Sequence, residues 1–493
     1  GFGISYNTSL NVTMRRQLAQ DLNGSVTLRY LYEQQDGVGD GLSGSNLVVA
    51  GLNTATSVTL NQSISSSQSR TSQIGLFLTG RLDYQGKLIF DGLIRRDGAS
   101  VFGEDNRWQT YGRGSILYRP SEEAWWFAKD IVNELKLRAA VGTAGNRPTF
   151  SAQYETLSIG SGGTLTPAGL GNPLLGPEVV RETDIGFDAE LFNRFGIEFS
   201  YINARAENQI LQVPVPAVAG FSNQWRNAGT LENKIIEGAV NIPVLEGFRG
   251  LTWTTRMAFD QPTSRITKLD VLPYFVSAAG AQGTDQMFRI AEGNDYGVMY
   301  GRQFARSCLN LPAAFQARCG EGKEWQRNDD GYIVWVGQGN TWREGITKNL
   351  RNAINPASDN PWGVQGFWGQ PIIMRDATGS GQVNELGSAI PSLRWSMGHN
   401  FSFNKFTAYV LFDAVQGRSV FNLARQWNYG DFMNGDIDQL GKSVETAKPI
   451  GYYWRAQPPD NSQGIGGLYD FLGPNNLTVE DGSFVKLREL SFG

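Results

Sequence analysis

The sequence lacks long hydrophobic runs, and this absence excludes a helical membrane protein. A transmembrane helix needs about 20 consecutive apolar residues, and no such stretch occurs in the 493 residues. Charge is also scarce, at 18% of the chain, against about 25% in an average soluble protein. Aromatic residues, by contrast, reach 12%, and there are 60 glycines. This composition predicts β-structure with many loops.

The residues that most catalytic and metal sites require are scarce as well. His399 is the only histidine, which nearly excludes a Ser/His/Asp triad and a histidine-based zinc site. No glycine-rich phosphate loop precedes a predicted helix. The net charge is only -4, and no Lys/Arg run marks a nucleic-acid surface. We therefore expect no enzyme activity, no cofactor and no nucleic-acid partner.

Two cysteines, Cys308 and Cys319, lie close together in a polar segment. They are predicted to form a disulfide, which would indicate an oxidising compartment; two free thiols are the alternative. The chain opens at Gly1 without a start methionine or a signal peptide. We expect a fragment of a longer protein that lacks residues at both ends.

Alternation of apolar and polar residues is the dominant local pattern. Between Ile74 and Tyr84, for example, every second residue is apolar apart from Gly80, and the intervening positions include Thr79, Arg81 and Asp83. This period of two predicts strands with one apolar and one polar face. Thirteen such strands are predicted, near residues 5–18, 23–34, 71–84, 86–97, 107–119, 134–143, 182–192, 196–206, 233–243, 250–261, 392–403, 406–415 and 484–492.

The links between these strands follow a rule. Links after odd-numbered strands are short, whereas most links after even-numbered strands are long, at 35–70, 144–181, 207–232, 262–391 and 416–483. Short turns at one rim and long loops at the other are typical of an outer-membrane β-barrel. An odd number of strands indicates truncation or a missed strand, because single-chain bacterial barrels use even numbers. We predict an all-β fold in which residues 1–493 form part of a large antiparallel transmembrane β-barrel, with 262–391 as a long extracellular loop region.

Several segments resemble the SusC/RagA family of TonB-dependent outer-membrane transporters. They occur in the family's order along nearly the whole chain, and no single one is diagnostic. The segments are Gly80–Tyr84, Leu93–Ser100 with Phe102-Gly103, Asn106–Trp108, Ser121–Glu123, Leu135–Ala139, Val141-Gly142, Gly145-Asn146, Asn227–Lys234 with Glu237, Tyr300-Gly301, Asp376–Val383 and Phe484–Gly493.

The resemblance implies a barrel of about 22 strands, of which about 13 or 14 belong to this chain. It also implies an N-terminal plug domain, absent from this sequence, and energy supplied by TonB–ExbB–ExbD through that absent region. A SusD-like lipoprotein would act as a lid, and the cargo would be an oligosaccharide or a peptide. The expected function is nutrient import across the outer membrane of a Gram-negative bacterium. A secreted or surface β-rich adhesin without transport is the alternative.

The long loop region carries the residues predicted to contact a ligand or partner. Its aromatic rings suit stacking on sugars or docking of a lid, and a small core of the loop itself is an equal alternative. These residues are Tyr332, Trp335, Trp342, Trp362, Phe367 and Trp368. Asp376 lies where the family often has several acidic residues, but Thr378, Ser380 and Gln382 occupy the alternate positions. Calcium prefers several carboxylates, so we expect a glycine-bearing turn there rather than a metal site.

Overall fold

A computed structural model describes residues 2–47, 54, 58–146, 150–159, 164–221, 223–277, 286–343, 353–430, 433–443, 447 and 475–493. The chain divides into two compact units. Unit 1 comprises Gly1–Leu272, Trp395–Asp413 and Lys486–Gly493, and unit 2 comprises Pro273–Arg394 and Ala414–Val485. The two units are described separately below.

One large sheet contains the thirteen long strands of the described chain, and neighbours in sequence are neighbours in the sheet. They are β1 Phe2–Ala19, β2 Leu22–Leu47, β3 Val58–Tyr84, β4 Leu88–Ala99, β5 Trp108–Tyr118, β6 Val132–Asn146, β7 Glu178–Leu191, β8 Phe195–Pro214, β9 Asn223–Phe248, β10 Leu251–Leu269, β11 Leu393–Phe403, β12 Phe406–Gln416 and β13 Phe484–Phe492. The pairings from β1 to β10 are all antiparallel. The prediction of thirteen antiparallel strands is confirmed.

Several of these strands are longer than predicted, and this corrects four of the predicted loops. In the loop 144–181, β6 reaches Asn146 and β7 begins at Glu178, and β10 reaches Leu269 within the predicted loop region 262–391. Within the segment 35–70, β2 and β3 continue as a paired ribbon in which Asp36 faces Arg70 and Gly41 faces Ser65. Within 207–232, β8 extends to Pro214 and β9 begins at Asn223. The prediction relied on apolar alternation, whereas strand pairing depends on backbone hydrogen bonds that Ser- and Gly-rich segments also form. The polar extensions were therefore missed.

The short links form tight turns, as predicted. Gln85, Phe192, Arg249 and Asn404 each adopt a left-handed backbone, with φ of 55°, 55°, 52° and 53°. Hairpin turns whose twist matches that of the strands require positive φ. Each of these residues lies in the link after an odd-numbered strand, so four turns at this rim share a left-handed residue. The link after β5 is longer and contains the 3-10 helix Pro120–Glu122.

The two faces of the sheet differ in polarity. On one face large apolar side chains are exposed, as at Leu76, Leu78 and Leu82. The alternate positions carry charges that pair across strands: Arg138 Nη2 lies 3.0 Å from Asp188 Oδ1, and Arg256 Nη2 lies 3.0 Å from Glu198 Oε2. A soluble sheet buries its apolar face, whereas this one exposes it and gathers ion pairs on the other.

Unit 2 contains most of the short elements. A four-stranded sheet is formed by Tyr274–Ser277, Gln286–Ile290, Val298–Gly301 and Asn384–Ser388. Two-stranded sheets pair Trp325–Arg327 with Ile333–Trp335, Ile354–Asn355 with Gly366–Phe367, and Ser419–Phe421 with Val479–Asp481. The α-helices are Ala313–Gln316 and Leu423–Gly430, and the 3-10 helices are Cys308–Asn310, Ala357–Asp359, Pro361–Gly363, Gly435–Ile437 and Asn475–Leu477. The predicted loop 262–391 is thus folded over most of its described length.

Unit 1 has few elements outside the large sheet. The strands Thr156–Ile159 and Leu165–Gly169 form a hairpin, and 3-10 helices lie at Glu104–Asn106, Pro120–Glu122, Phe150–Gln153 and Ala217–Ala219. In the ranges given above, no helix is long and apolar enough to cross a membrane.

Candidate functional site

Five of the six aromatic residues predicted to contact a ligand pack in unit 2 in or against two small cores, and Phe367 is the exception. Tyr332 and Trp368 are buried, with 9% and 2% of their surface exposed, in a cluster that includes Phe304, Val334 and Val336. The rings of Phe304 and Tyr332 pack edge to face, with ring centroids 5.0 Å apart. For Tyr332 and Trp368, the alternative of a core within the loop region is the one that the packing supports.

The other four predicted aromatics keep part of their surface accessible. Trp335 and Trp342 pack against the first core, and Trp335 also contacts a second core, to which Trp362 belongs as a partly buried neighbour. Phe367 is half-buried in the short strand Gly366–Phe367. The Arg343 guanidinium lies over the Trp342 ring, 4.9 Å from the ring centre. Ligand contact by these side chains stays a prediction.

A disulfide joins Cys308 to Cys319, with 5.6 Å between their α-carbons. Cys319 belongs to the second core together with Ala305, Leu311, Trp325 and Ile333. Beside it, Arg318 forms ion pairs with Asp359, at 2.7 Å, and with Glu324. The hydrogen bond from Arg318 holds the pKa of the Asp359 carboxyl below its ordinary value. The disulfide and the pair with Glu324 close the segment 308–324 on itself, and the pair with Asp359 ties this segment to the 3-10 helix Ala357–Asp359.

Asp376 lies in a tight turn. Its Oδ1 accepts hydrogen bonds from the backbone N–H of Thr378 at 2.9 Å, the Thr378 hydroxyl at 2.6 Å and the backbone N–H of Ser380 at 3.1 Å. These bonds, the one from the Thr378 hydroxyl first, lower the pKa of the Asp376 carboxyl. Over the described part of the chain, no three His, Cys, Asp or Glu side chains stand close enough to hold a metal ion. The carboxylate serves the turn itself.

A polar cavity of about 270 Å³ in unit 2 was not predicted from the sequence. At its centre Arg425 forms ion pairs with Asp436 and Glu480, and its Nη2 donates to the Tyr429 hydroxyl at 3.2 Å. Tyr429 in turn donates to Asp436 Oδ2 at 2.6 Å. Arg306, Asp330 and Tyr332 also line the cavity. The arrangement offers charged groups of both signs to a polar ligand.

Burial and neighbouring groups shift the pKa values of the residues in this cavity. Burial, and then the hydrogen bond to Asp436, raise the pKa of Tyr429 to about 12. Burial opposes the charge on Arg425, but its hydrogen bonds to Tyr429 and Glu480 outweigh that effect and raise its pKa. The Asn422 amide and then Arg425 lower the pKa of Glu480. Only the four-residue spacing of Arg425 and Tyr429 on helix Leu423–Gly430 could have indicated this group from the sequence, and that helix was not predicted.

The polar face of the large sheet forms a second candidate surface, in unit 1. A cavity of about 240 Å³ on this face is lined by Arg95, Arg107, Arg113, Asp97 and Tyr111, among others. Arg95 pairs with Asp97 at 2.6 Å and lies over the Phe77 ring at 4.5 Å. Arg113 pairs in turn with Asp91, so two of these three guanidinium groups have a carboxylate partner.

His399 of β11 contacts side chains of the neighbouring strand β10. The Trp253 indole N–H lies 3.3 Å from His399 Nδ1, and the Thr255 hydroxyl lies 2.8 Å from the same atom. Trp253 also stacks on Phe401, with ring centroids 5.4 Å apart. The histidine therefore joins β10 to β11 through side-chain contacts.

Comparison with known proteins identifies the family of the large sheet. Residues 2–305 match the family described as "TonB dependent receptor-like, beta-barrel". The chain belongs to this family. The SusC/RagA resemblance and the β-barrel fold predicted from the sequence are confirmed.

Two named receptors and one solved structure are similar to this TonB-dependent receptor barrel. TonB-dependent receptor P3 of Formosa agariphila is 24% identical over 450 residues, which are 87% of this chain and 39% of the relative. TonB-dependent receptor SusC of Bacteroides thetaiotaomicron is 24% identical over 226 residues, 40% of this chain and 22% of the relative. The alignment with the structure of the RagAB peptide transporter covers 99% of this chain and 48% of the transporter chain, with a TM-score of 0.69 at 15% identity. The receptor barrel described here thus spans less than half the length of these relatives.

Proposed function

We propose that the intact protein is a TonB-dependent importer in the outer membrane of a Gram-negative bacterium. The observation that carries this proposal is the large sheet with an exposed apolar face and a face rich in ion pairs. Lipid would cover the apolar face, and the charged face would line the interior, as in transmembrane barrels. Family membership supports this function over the alternative of an adhesin.

The rule of short and long links supports an orientation for this barrel. Outer-membrane barrels have short periplasmic turns and longer extracellular loops. The rim with Gln85, Phe192 and Asn404 would therefore face the periplasm. The long link between β10 and β11, which makes up most of the predicted loop region 262–391, and the long link between β12 and β13 would then be extracellular. The first of these links carries the disulfide, whose persistence suits an oxidising environment.

We further propose that the cargo is an oligomeric nutrient, either an oligosaccharide or a peptide, captured with a SusD-like lipoprotein lid. TonB–ExbB–ExbD would supply the energy through an N-terminal plug region outside this sequence. Similarity to SusC and to a protein described as a peptide transporter supports this class of cargo and partner. In unit 2 the partly accessible rings of Trp335, Trp342, Trp362 and Phe367, rather than the buried Tyr332 and Trp368, would contact cargo or lid.

Uptake by cells tests the proposal directly. A strain lacking the gene would be complemented with the full-length receptor and supplied with fluorescent oligosaccharides and fluorescent peptides of graded length. We expect uptake of one class to be restored and to stop when TonB is deleted or a protonophore is added. Restored uptake that is unaffected by TonB deletion and by the protonophore contradicts energised import. Recovery of the receptor in the soluble fraction contradicts the membrane assignment.

The proposed contact between the aromatic rings and the cargo needs a separate test with variants. Trp342→Ala combined with Phe367→Ala should raise the cargo concentration needed for half-maximal uptake. Leu309→Ala is the matched control, because Leu309 is 78% exposed and lies outside both aromatic cores. Equal uptake by the double variant and the control would remove these rings from the proposed contact surface.

A further inference from the structure

Three glycines form a continuous row on the exposed apolar face of the large sheet. Gly80 of β3 faces Gly92 of β4, and Gly92 faces Gly114 of β5. Val26 of β2 and Val141 of β6 close the row at its two ends. Glycine in the interior of a strand weakens the strand and often marks a place where a ligand or another backbone approaches closely.

Within the part of the chain that the structure describes, no neighbouring atom requires glycine at these positions. A β-carbon added at Gly80 or Gly114 would have no atom within 4 Å, and one at Gly92 would meet only a backbone oxygen at 3.9 Å. None of the three has the left-handed backbone that favours glycine. The row is therefore an open depression whose cause is not internal packing.

Large apolar side chains form a wall along one side of the depression. Leu82, Phe90 and Ile116 face one another across β3, β4 and β5 in the next row of the same face. Together with Met14, Leu18 and other side chains they enclose a groove of about 980 Å³. This volume lies at the upper end of the range for small-molecule sites, about 300–1,000 Å³.

Two arginines line this groove, and Arg16 is the one that belongs to the apolar face, whereas Arg81 has the phase of the charged face and pairs with Asp83. Arg16 of β1 faces Gly24, and Gly24 faces Leu82, so Arg16 lies in the same cross-strand row as the wall. Its side chain is exposed and, among the described residues, forms no ion pair. Arg16 lies close to the turn between β1 and β2, whereas Val141 lies in the later half of β6. The groove thus runs from a charged end near the short-turn rim into the apolar part of the sheet.

The dimensions fit a lipid chain within one leaflet. Four strand spacings of about 4.8 Å make the row from Val26 to Val141 about 19 Å long. Strands of transmembrane barrels tilt by about 35–45°, so a row across the strands is inclined and covers roughly 13 Å of depth. That depth approaches the roughly 15 Å of hydrocarbon in one leaflet.

We propose that this groove is a specific binding site for one glycerophospholipid of the periplasmic leaflet. One acyl chain would lie over Gly80, Gly92 and Gly114, and the phosphate would pair with Arg16. A single guanidinium at the end of an apolar groove complements a phosphate joined to a hydrocarbon chain. A second copy of the receptor, also apolar on this face, would leave Arg16 without an anion.

Lipid retention by the purified full-length receptor tests the site. Native mass spectrometry in a mild detergent would count molecules of palmitoyl-oleoyl phosphatidylglycerol bound per receptor during a titration. We expect one tightly retained molecule on the wild type and a weakening of about tenfold in Gly92→Val, whose side chain fills the floor. Gly112→Val is the matched control: Gly112 lies on the same face of β5, outside the groove lining, and tolerates a β-carbon with 3.6 Å to the nearest atom.

The headgroup contact is separated by a second variant and a second probe. Arg16→Gln should weaken retention of phosphatidylglycerol by about fivefold and leave retention of palmitoyl-oleoyl glycerol, which has no phosphate, unchanged. A shift in gel migration on boiling would verify that each variant has folded as a barrel. Because this check reports the membrane assignment separately, a failure of the lipid site is distinguishable from a failure of the proposed function.

Two results would overturn the proposal. Equal lipid retention by the wild type and Gly92→Val would show that the glycine row does not hold the chain. A lipid-free wild-type dimer that Gly92→Val converts to a monomer would assign the groove to a second copy of the receptor instead.

Discussion

Trp325 is the side chain whose removal should damage unit 2 most. Only 1% of its surface is exposed, and its indole packs edge to face with the Phe315 ring, with ring centroids 6.4 Å apart. It lies in the core that includes the disulfide cysteine Cys319. Replacing a buried Trp by Ala costs about 3–5 kcal/mol. The Trp325 indole N–H has no hydrogen-bond partner within the described chain, so no hydrogen bond is lost and we expect a value near the lower end, about 3 kcal/mol.

Amide hydrogen exchange in the segment 318–336 measures this effect. Each 1.4 kcal/mol corresponds to a factor of about ten, so Trp325→Ala should accelerate exchange there by roughly a hundredfold. Leu309→Ala is the control, since an exposed side chain contributes at most about 0.5 kcal/mol and Leu309 is highly exposed. The reasoning is refuted if Trp325→Ala leaves the exchange of this segment as slow as Leu309→Ala does.

Three further perturbations address the disulfide, the polar cavity and the membrane-facing side of the sheet. Cys308→Ser with Cys319→Ser should destabilise unit 2 by about 3 kcal/mol in the chain-entropy model, seen as faster proteolysis within 305–335, and a reductant should affect the wild type alone. The pKa of Glu480 is lowered in the folded state, so its carboxylate contributes fully to stability above the ordinary pKa of 4.5, and this contribution is lost as the pH falls through the lower folded pKa. Glu480→Gln should remove this acid-dependent part of the unfolding of unit 2. An unchanged dependence of unfolding on acid pH would contradict the prediction. Leu78→Arg, on the exposed apolar face, should lower folding stability in lipid vesicles by about 2–4 kcal/mol, whereas Thr79→Arg on the opposite face should change it little; equal losses would mean that the faces are wrongly assigned.

The strands and their order could be predicted from the sequence because lipid or core contact imposes a local rule. Every second residue along a strand points to the same side of the sheet and meets the same environment. Leu76, Leu78 and Leu82 therefore alternate with charged and polar residues. The turns were equally local, since links such as Gln85-Gly86 can only close a hairpin. The extensions of β2 and β3 to Leu47 and Val58 obey no such rule, because backbone pairing outside the apolar zone leaves side chains free to vary.

Which distant side chains come together depends on how the chain folds. Arg425 and Glu480 are far apart in sequence, and no spacing predicts that they share a cavity with Asp436. Tyr332 and Trp368 carry the same side-chain chemistry whether they bind a sugar or fill a core, and packing alone distinguishes the two. Gly80, Gly92 and Gly114 read as ordinary strand glycines until the register places them side by side. The sequence by itself thus determined the barrel strands, because their pattern is local, whereas the cavities and the glycine row depend on register and packing across the chain.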